Sequence, residues 1–210
     1  MAEPTGLREL KKQRTRQAIS EAAIALFRES GFDRVSVADI AAAAEVSKPT
    51  LFAYFPTKED LVLHRFADHE TEAARVVRDR AAGIAPLAAL RWHFRDGLDR
   101  RDPITGLNDH PEVLAFQRLL YGTPALVSRL HGYLARGEAA LAAALAETGT
   151  GDDTVAGVAA GQIIATQRIL ATRNAAEMAA GRSADDAHPG AVARADTAFA
   201  ILEDGLAARL

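Results

Sequence analysis

The sequence predicts an all-α chain, with an N-terminal three-helix domain over residues 1–60 and a larger helical domain over 61–210, about nine helices in all. Three observations carry this. Apolar residues recur at i, i+3, i+4 and i+7 along most of the chain, no segment alternates with the two-residue period of a strand, and glycines, prolines and hydroxyl caps separate the helical runs. Hydrophobic residues make up 49% of the 210 and charged residues 25%, enough to bury a core within a water-compatible composition. The chain has no cysteine, which excludes disulfides and thiolate metal sites. No run approaches the roughly 20 apolar residues that cross a bilayer. The N-terminal Met1-Ala2-Glu3-Pro4-Thr5-Gly6 lacks the apolar core of a signal peptide, so a cytoplasmic location without a membrane partner is the expectation.

The elements follow in order. Ile19, Ala22, Ala23, Leu26 and Phe27 make one apolar helix face, and Gly31 ends that helix where positive φ is needed. Ser36-x-x-Asp39 resembles a capping box and opens a second helix, with Val37, Ile40, Ala41 and Ala44 on its inner face. Ser47 caps a third, with Pro49 in the first turn, where a missing N–H costs little. Pro56 ends it. Thr57-x-x-Asp60 starts a fourth helix, expected to continue to about residue 82. A fifth spans about 86–100, a loop rich in turn formers covers 102–109, and a sixth covers about 110–121. Gly122-Thr123-Pro124 opens a seventh, to about 147; an eighth runs to about 180. The stretch from Arg182 to Gly190 reads as a loop before the ninth.

The second and third helices, joined by a tight turn after the small residues Ala41 to Ala44, form a helix-turn-helix. The third suits DNA: Leu51 and Phe55 fix it to the core, while Lys48, Thr50 and Tyr54 point outward. Ser47, Lys48 and Thr50 sit near the helix start, where backbone N–H groups favour an anion. Lys58, poorly placed for the next helix's dipole, is well placed for a DNA backbone. The whole-chain charge of -3 does not suggest nucleic acid, but its distribution does. Arg8, Lys11, Lys12, Arg14 and Arg16 against Glu9 leave four net positive charges just before the motif.

These residues also resemble the N-terminal domain of the TetR family of bacterial transcriptional repressors. The resemblance runs through Thr15-Arg16-x-x-Ile19, Ala22-Ala23-x-x-Leu26-Phe27, Gly31-Phe32, Ser36-Val37-x-x-Ile40-Ala41 and Val46-Ser47-Lys48-Pro49-Thr50-Leu51-Phe52-x-Tyr54-Phe55-Pro56-x-Lys58-Glu59-x-Leu61, nearly a third of the chain. It implies a homodimer on a palindromic, double-stranded operator, with DNA contacts at Ser36, Ser47, Lys48, Pro49, Thr50, Tyr54 and Lys58 and further contacts from the basic arm at Lys11, Lys12 and Arg14. Glu45 departs from the family's common glycine in the turn. It must adopt positive φ or alter the turn, and its charge faces the DNA side.

Residues 83–210 carry no family motif. By resemblance they hold a ligand cavity and the dimer interface, the latter a four-helix bundle of the last two helices and their symmetry mates. Gly157, Gly161 and Ile164 offer a smooth face, and Ala198, Phe199 and Leu202 an apolar stripe that Leu206 continues. Trp92, Phe116 and Leu120 are candidates for an apolar cavity, with His93, Gln162 and Thr166 as polar anchors. A plain core role is as good a reading for each aromatic. The six histidines are scattered, and there is no phosphate loop, no G-x-S-x-G and no paired acids in a cleft. The expectation is therefore no catalytic residue, no metal and no cofactor. Together these readings give a dimeric transcriptional regulator, a repressor released from its operator by an unknown small apolar or amphipathic effector. The alternative is the same fold governed by a protein partner, or with no small-molecule ligand.

Overall fold

The computed structural model describes residues 4–150 and 152–206, with the side chains of residues 4, 5, 7–9, 65, 67, 68, 150 and 206 outside the described set. The readings of Arg8 and Leu206 fall among these. The helices are α1 (Pro4–Ser30), α2 (Val37–Ala43), α3 (Lys48–Tyr54), α4 (Asp60–Leu63), α5 (Ala67–Glu70), α6 (Glu72–Asp79), α7 (Pro86–Asp99), α8 (Pro111–Gly122), α9 (Pro124–Leu145), α10 (Asp153–Ala179) and α11 (Ala184–Leu206). Short 3-10 turns occupy His64–Phe66 and Pro103–Thr105, and a wide turn occupies Ala146–Thr150. The fold is all-α, as expected.

Two elements differ from the sequence reading. The single fourth helix expected to reach residue 82 is three short helices. His64–Phe66 tighten into a 3-10 turn, and Thr71, at φ -106 and ψ 7, separates α5 from α6. The second difference is α11, which starts at Ala184 and carries Pro189 inside it, in a stretch expected to be loop. The Ser183 hydroxyl accepts the Asp186 N–H at 3.1 Å and so caps the helix early. Pro189, the sixth residue of the helix, leaves the Asp185 carbonyl without its amide donor, a loss the capped first turn and the packing of α11 outweigh.

The chain forms two compact units. The first comprises residues up to 65 together with 115–130, and the second comprises 66–114 and 131–210. The first unit packs α1 on α2 and α4, and α2 on α3. Its core holds Ile19, Ala23 and Phe27 of α1, Ile40 of α2, Leu51 of α3, Phe55, and Leu61 to Leu63. Phe27 and Phe32 stack tilted, 4.8 Å between centroids. Ser20, buried among the apolar residues of α1, donates its hydroxyl to the Leu61 carbonyl at 2.7 Å, which satisfies a polar group that would otherwise oppose burial.

In the second unit α7 packs on α6 and α11, and α10 on α11. Leu90, Leu98, Leu107, Leu141, Leu145, Ile163 and Met178 fill its core, and Phe94 of α7 meets Phe199 of α11 at 6.1 Å. The loop after α7 is fastened to α10. Gly106, at φ 74, lies so near the α10 backbone that a Cβ there would stand 2.0 Å from the Ala171 carbonyl oxygen. Asn174, buried, donates to the Thr105 carbonyl at 2.9 Å and accepts from Arg194 of α11. Both the close approach and the left-handed turn require glycine. No described helix is long and apolar enough to cross a membrane.

Candidate nucleic-acid interface

The interface is built from the caps inward. At the start of α2 the Ser36 hydroxyl accepts the Asp39 N–H, and the Asp39 carboxylate accepts the Ser36 N–H at 2.8 Å and its hydroxyl at 2.7 Å. This is the expected capping box, with Asp reaching back where Glu or Gln is usual. Those hydrogen bonds, first from the hydroxyl and then from the backbone, hold the Asp39 carboxyl below its ordinary pKa, with a smaller attraction from Lys48. In the turn, Glu45 takes φ 53, the Glu45 N–H bonds the Ala42 carbonyl, and the Val46 N–H reaches back to Ala41. The turn keeps its left-handed geometry and glutamate bears the strain, one of the two alternatives the sequence leaves open.

At α3 the Ser47 hydroxyl accepts the Thr50 N–H at 3.2 Å and meets the Thr50 hydroxyl at 2.7 Å, and Pro49 lies in the first turn. Leu51 is 1% exposed and Phe55 is fully buried. The Arg16 guanidinium lies 5.2 Å from the centroid of the Phe55 ring, so one member of the basic arm also braces the end of α3. With one side fixed, the other is presented: Ser47, Lys48, Pro49 and Thr50 are exposed, and Tyr54 is half-buried at the flank. Lys11, Lys12 and Arg14 are exposed on α1 and Ser36 is exposed at the α2 cap.

Lys58 departs from the outward role the sequence suggests. Its Nζ donates to the Phe32 carbonyl and lies 4.4 Å from the Phe32 ring centroid and 5.4 Å from that of Phe27. It ties the segment after α3 to the turn that follows α1. The reason is local: Gly31 turns the chain so that a carbonyl and two ring faces converge within reach of one ammonium.

Three residues do more than the sequence reading gave them. Asp60, buried at 6% exposure, receives a two-pronged hydrogen bond from Arg129 at 2.9 and 3.1 Å; its position as a helix-start acid gave no sign of that partner 69 residues away. Ser20 lies beside the apolar stripe of α1 and carried no polar signal beyond its type. Phe52, which the sequence reading quoted only within the motif, is 48% exposed on α3.

The candidate cavity residues are divided between the two units. Phe116 and Leu120 are buried within the first unit, whereas Trp92, His93, Gln162 and Thr166 belong to the second. Trp92 is 69% exposed and Gln162 is exposed, so neither lines the interior. His93 lies 3.3 Å from Glu72, which His69 also meets at 2.7 Å. Burial opposes the charge on Glu72, but the two histidines outweigh it and hold this carboxyl far below its ordinary pKa. The interface candidates divide likewise. Gly157, Gly161, Ile164 and Ala198 are half-buried. Phe199 and Leu202 are core residues of their own chain, at 0% and 6% exposure, because the α11 stripe to which they belong faces α7 and α10. Outward stand Val158 and Ile169 of α10 and Ile201 of α11. Among the described residues no group of three or more histidines, aspartates or glutamates is arranged to hold a metal ion.

Comparison with known proteins adds a family to this geometry. Residues 19–64 match the family described as bacterial regulatory proteins, tetR family. The chain is 34% identical over 134 residues to the HTH-type transcriptional regulator TcmR of Streptomyces glaucescens, across 63% of this chain and 58% of that one. It is 33% identical over 135 residues to the HTH-type transcriptional regulator RutR of Escherichia coli strain K12, across 62% and 59%. The chain thus spans under two thirds of the length of both relatives. Among solved structures, a TetR-family regulator from Streptomyces coelicolor superposes with a TM-score of 0.57 at 24% identity, covering 90% of this chain and 95% of that one. Salmonella enterica GusR does so with a TM-score of 0.56 at 23% identity, covering 91% and 94%. At these identities the structural likeness speaks for the fold.

Proposed function

We propose that this chain, whose residues 19–64 belong to the tetR family of bacterial regulatory proteins, works as a dimeric repressor that reads a double-stranded operator through α3. The observation that carries the reading is the two-sided construction of α3. Leu51 and Phe55 lock one side, while Lys48, Pro49 and Thr50 stand exposed on the other, and Lys11, Lys12 and Arg14 are exposed on α1 of the same unit. A rigid helix with one presented face, flanked by phosphate-attracting charge, is what major-groove reading requires. Ser36, Ser47 and Tyr54 then meet the backbone at its edges. Footprinting of the DNA upstream of its own coding sequence tests this. The proposal expects a protected stretch that Lys48→Ala weakens; full-strength protection by the variant, or none by either protein, contradicts it.

Two copies are joined, in this reading, through the outward residues of α10 and α11. Val158, Ile169 and Ile201, between 51% and 67% exposed, are large apolar side chains that a second copy would cover, and the half-buried Gly157, Gly161, Ile164 and Ala198 allow close approach beside them. Ile169→Glu combined with Ile201→Glu should give a folded monomer by sedimentation, with operator affinity lost; an intact dimer rejects this surface.

In this reading residues 61–210 carry effector binding and dimerisation, although 61–65 and 115–130 pack with the first unit, and a small apolar or amphipathic effector releases the operator. A protein partner in its place is the second reading, favoured by the exposure of Trp92. Native mass spectrometry of the purified chain separates the two: a co-purifying small mass supports the first, and a bound polypeptide supports the second.

A further inference from the structure

We infer that Phe52 is a specificity-determining residue, one that reads the 5-methyl group of thymine in the operator. The inference deepens the DNA-binding reading above and rests on it. The outward side of α3 is less polar than a DNA-reading helix usually is. Its exposed residues after the cap are Lys48, Pro49, Thr50, Phe52 and Ala53, and the Thr50 hydroxyl is already engaged with Ser47. Pro49, Phe52 and Ala53 stand at i, i+3 and i+4 and so share one face. None of the three side chains has a hydrogen-bond donor or acceptor. Phe52 is 48% exposed at the flank of a helix whose buried side is held by Leu51, with Phe55 buried just past its end, so the core beside it is already filled.

An apolar strip of this kind cannot read most of what the major groove displays. Guanine N7 and O6, adenine N7 and N6 and cytosine N4 all ask for hydrogen bonds. The one apolar group on a base edge there is the thymine methyl. The occupant is therefore DNA with thymine beneath Phe52, and the charge around the strip agrees. Lys48 flanks it and Lys11, Lys12 and Arg14 are exposed on α1 of the same unit, complementary to phosphates. The polar contacts then hold the helix in register while the strip supplies discrimination. Because 5-methylcytosine carries its methyl at the same place in the groove, it should partly substitute for thymine.

The experiment takes sites selected by the full chain from randomised DNA and replaces each thymine in turn by deoxyuridine, which lacks only the methyl. Wild type and Phe52→Asn are measured on every duplex, with thermal melting to confirm that the variant folds. The inference expects at least one thymine per half-site whose methyl is worth about fourfold in affinity, the value of one buried methyl-sized group. In Phe52→Asn that sensitivity should vanish, while the salt dependence stays that of wild type. A 5-methylcytosine in place of the critical thymine should be preferred to cytosine by wild type only. Deoxyuridine binding as well as thymine throughout, or a methyl effect that survives in Phe52→Asn, overturns the inference and leaves the DNA-binding reading standing. Failure to select any site overturns both.

Discussion

Lys58 separates two accounts of a positive charge near DNA. If it contacts phosphate, Lys58→Ala should lower affinity and reduce the salt dependence by nearly one counterion. The structure assigns it other work. Its ammonium donates to the Phe32 carbonyl, and a hydrogen bond with a charged donor contributes about 1.5–3 kcal/mol. It also lies over the rings of Phe32 and Phe27, at 4.4 and 5.4 Å, each worth about 0.5–1 kcal/mol at a partly exposed site. The contacts share one half-buried group and are not additive, so Lys58→Ala should destabilise the first unit by about 2 kcal/mol. Lys48, exposed on α3, is the contrast, since its removal should leave stability within about 0.5 kcal/mol and reduce the salt slope by about 0.9. Denaturant unfolding followed by circular dichroism gives the first quantity, and fluorescence anisotropy on a bound duplex from 50 to 200 mM salt, roughly the range in which such slopes are read, gives the second. A Lys58→Ala protein of unchanged stability whose salt slope falls by about one would refute the reasoning.

Four further outcomes follow from the same geometry. Glu45→Gly should stabilise the protein by about 0.5–1 kcal/mol, since glycine relieves the φ 53 strain at some entropic cost, and should tighten DNA binding at low salt by removing a negative charge; a lower melting temperature contradicts the strain. Gly106→Ala should cost more than about 3 kcal/mol, or prevent folding of the second unit, because the new Cβ meets the Ala171 carbonyl; a soluble variant of wild-type melting temperature would show that the loop yields. Arg129→Ala should cost about 3 kcal/mol by leaving Asp60 buried without that partner, and Asp60→Asn should cost less, as read by denaturant midpoints; equal small losses contradict this. Glu72 has a depressed folded pKa, so the stability it contributes is present above its unfolded value near 4.5 and fades as pH falls towards the folded one. Glu72→Gln should therefore be less stable than wild type above about pH 5, with the gap narrowing under about pH 4; a gap that widens on acidification reverses the sign.

Much of the first unit was legible because its signals are local. A cap such as Ser36 or Ser47 acts within three residues, Pro49 acts on its own turn, and the stripe Ile19, Ala23, Phe27 follows from helix period alone. Lys58, Asp60 and Phe52 were misread or missed because their roles depend on what lies far along the chain or on which way a short helix is turned. Nothing near Asp60 announces Arg129, and seven residues of α3 leave an aromatic's facing undecided until the helix is docked. In the second unit the α11 stripe was correctly found, yet Phe199 and Leu202 were assigned to a partner copy. Periodicity identifies an apolar face without saying whether α7 and α10 or a second chain will cover it. The break at Thr71 was illegible for a similar reason, since helix propensity there gives no stop.

The central claim is that α3 reads operator DNA as one of a symmetric pair. Sequencing the duplexes that the full chain retains from a randomised pool tests it most directly. The account predicts one enriched inverted repeat, its half-sites about one or a few helical turns apart, and loss of enrichment in a Lys48→Ala, Thr50→Ala double variant that melts like wild type. A pool that emerges with no preferred sequence, or the same repeat retained by the double variant, would contradict it.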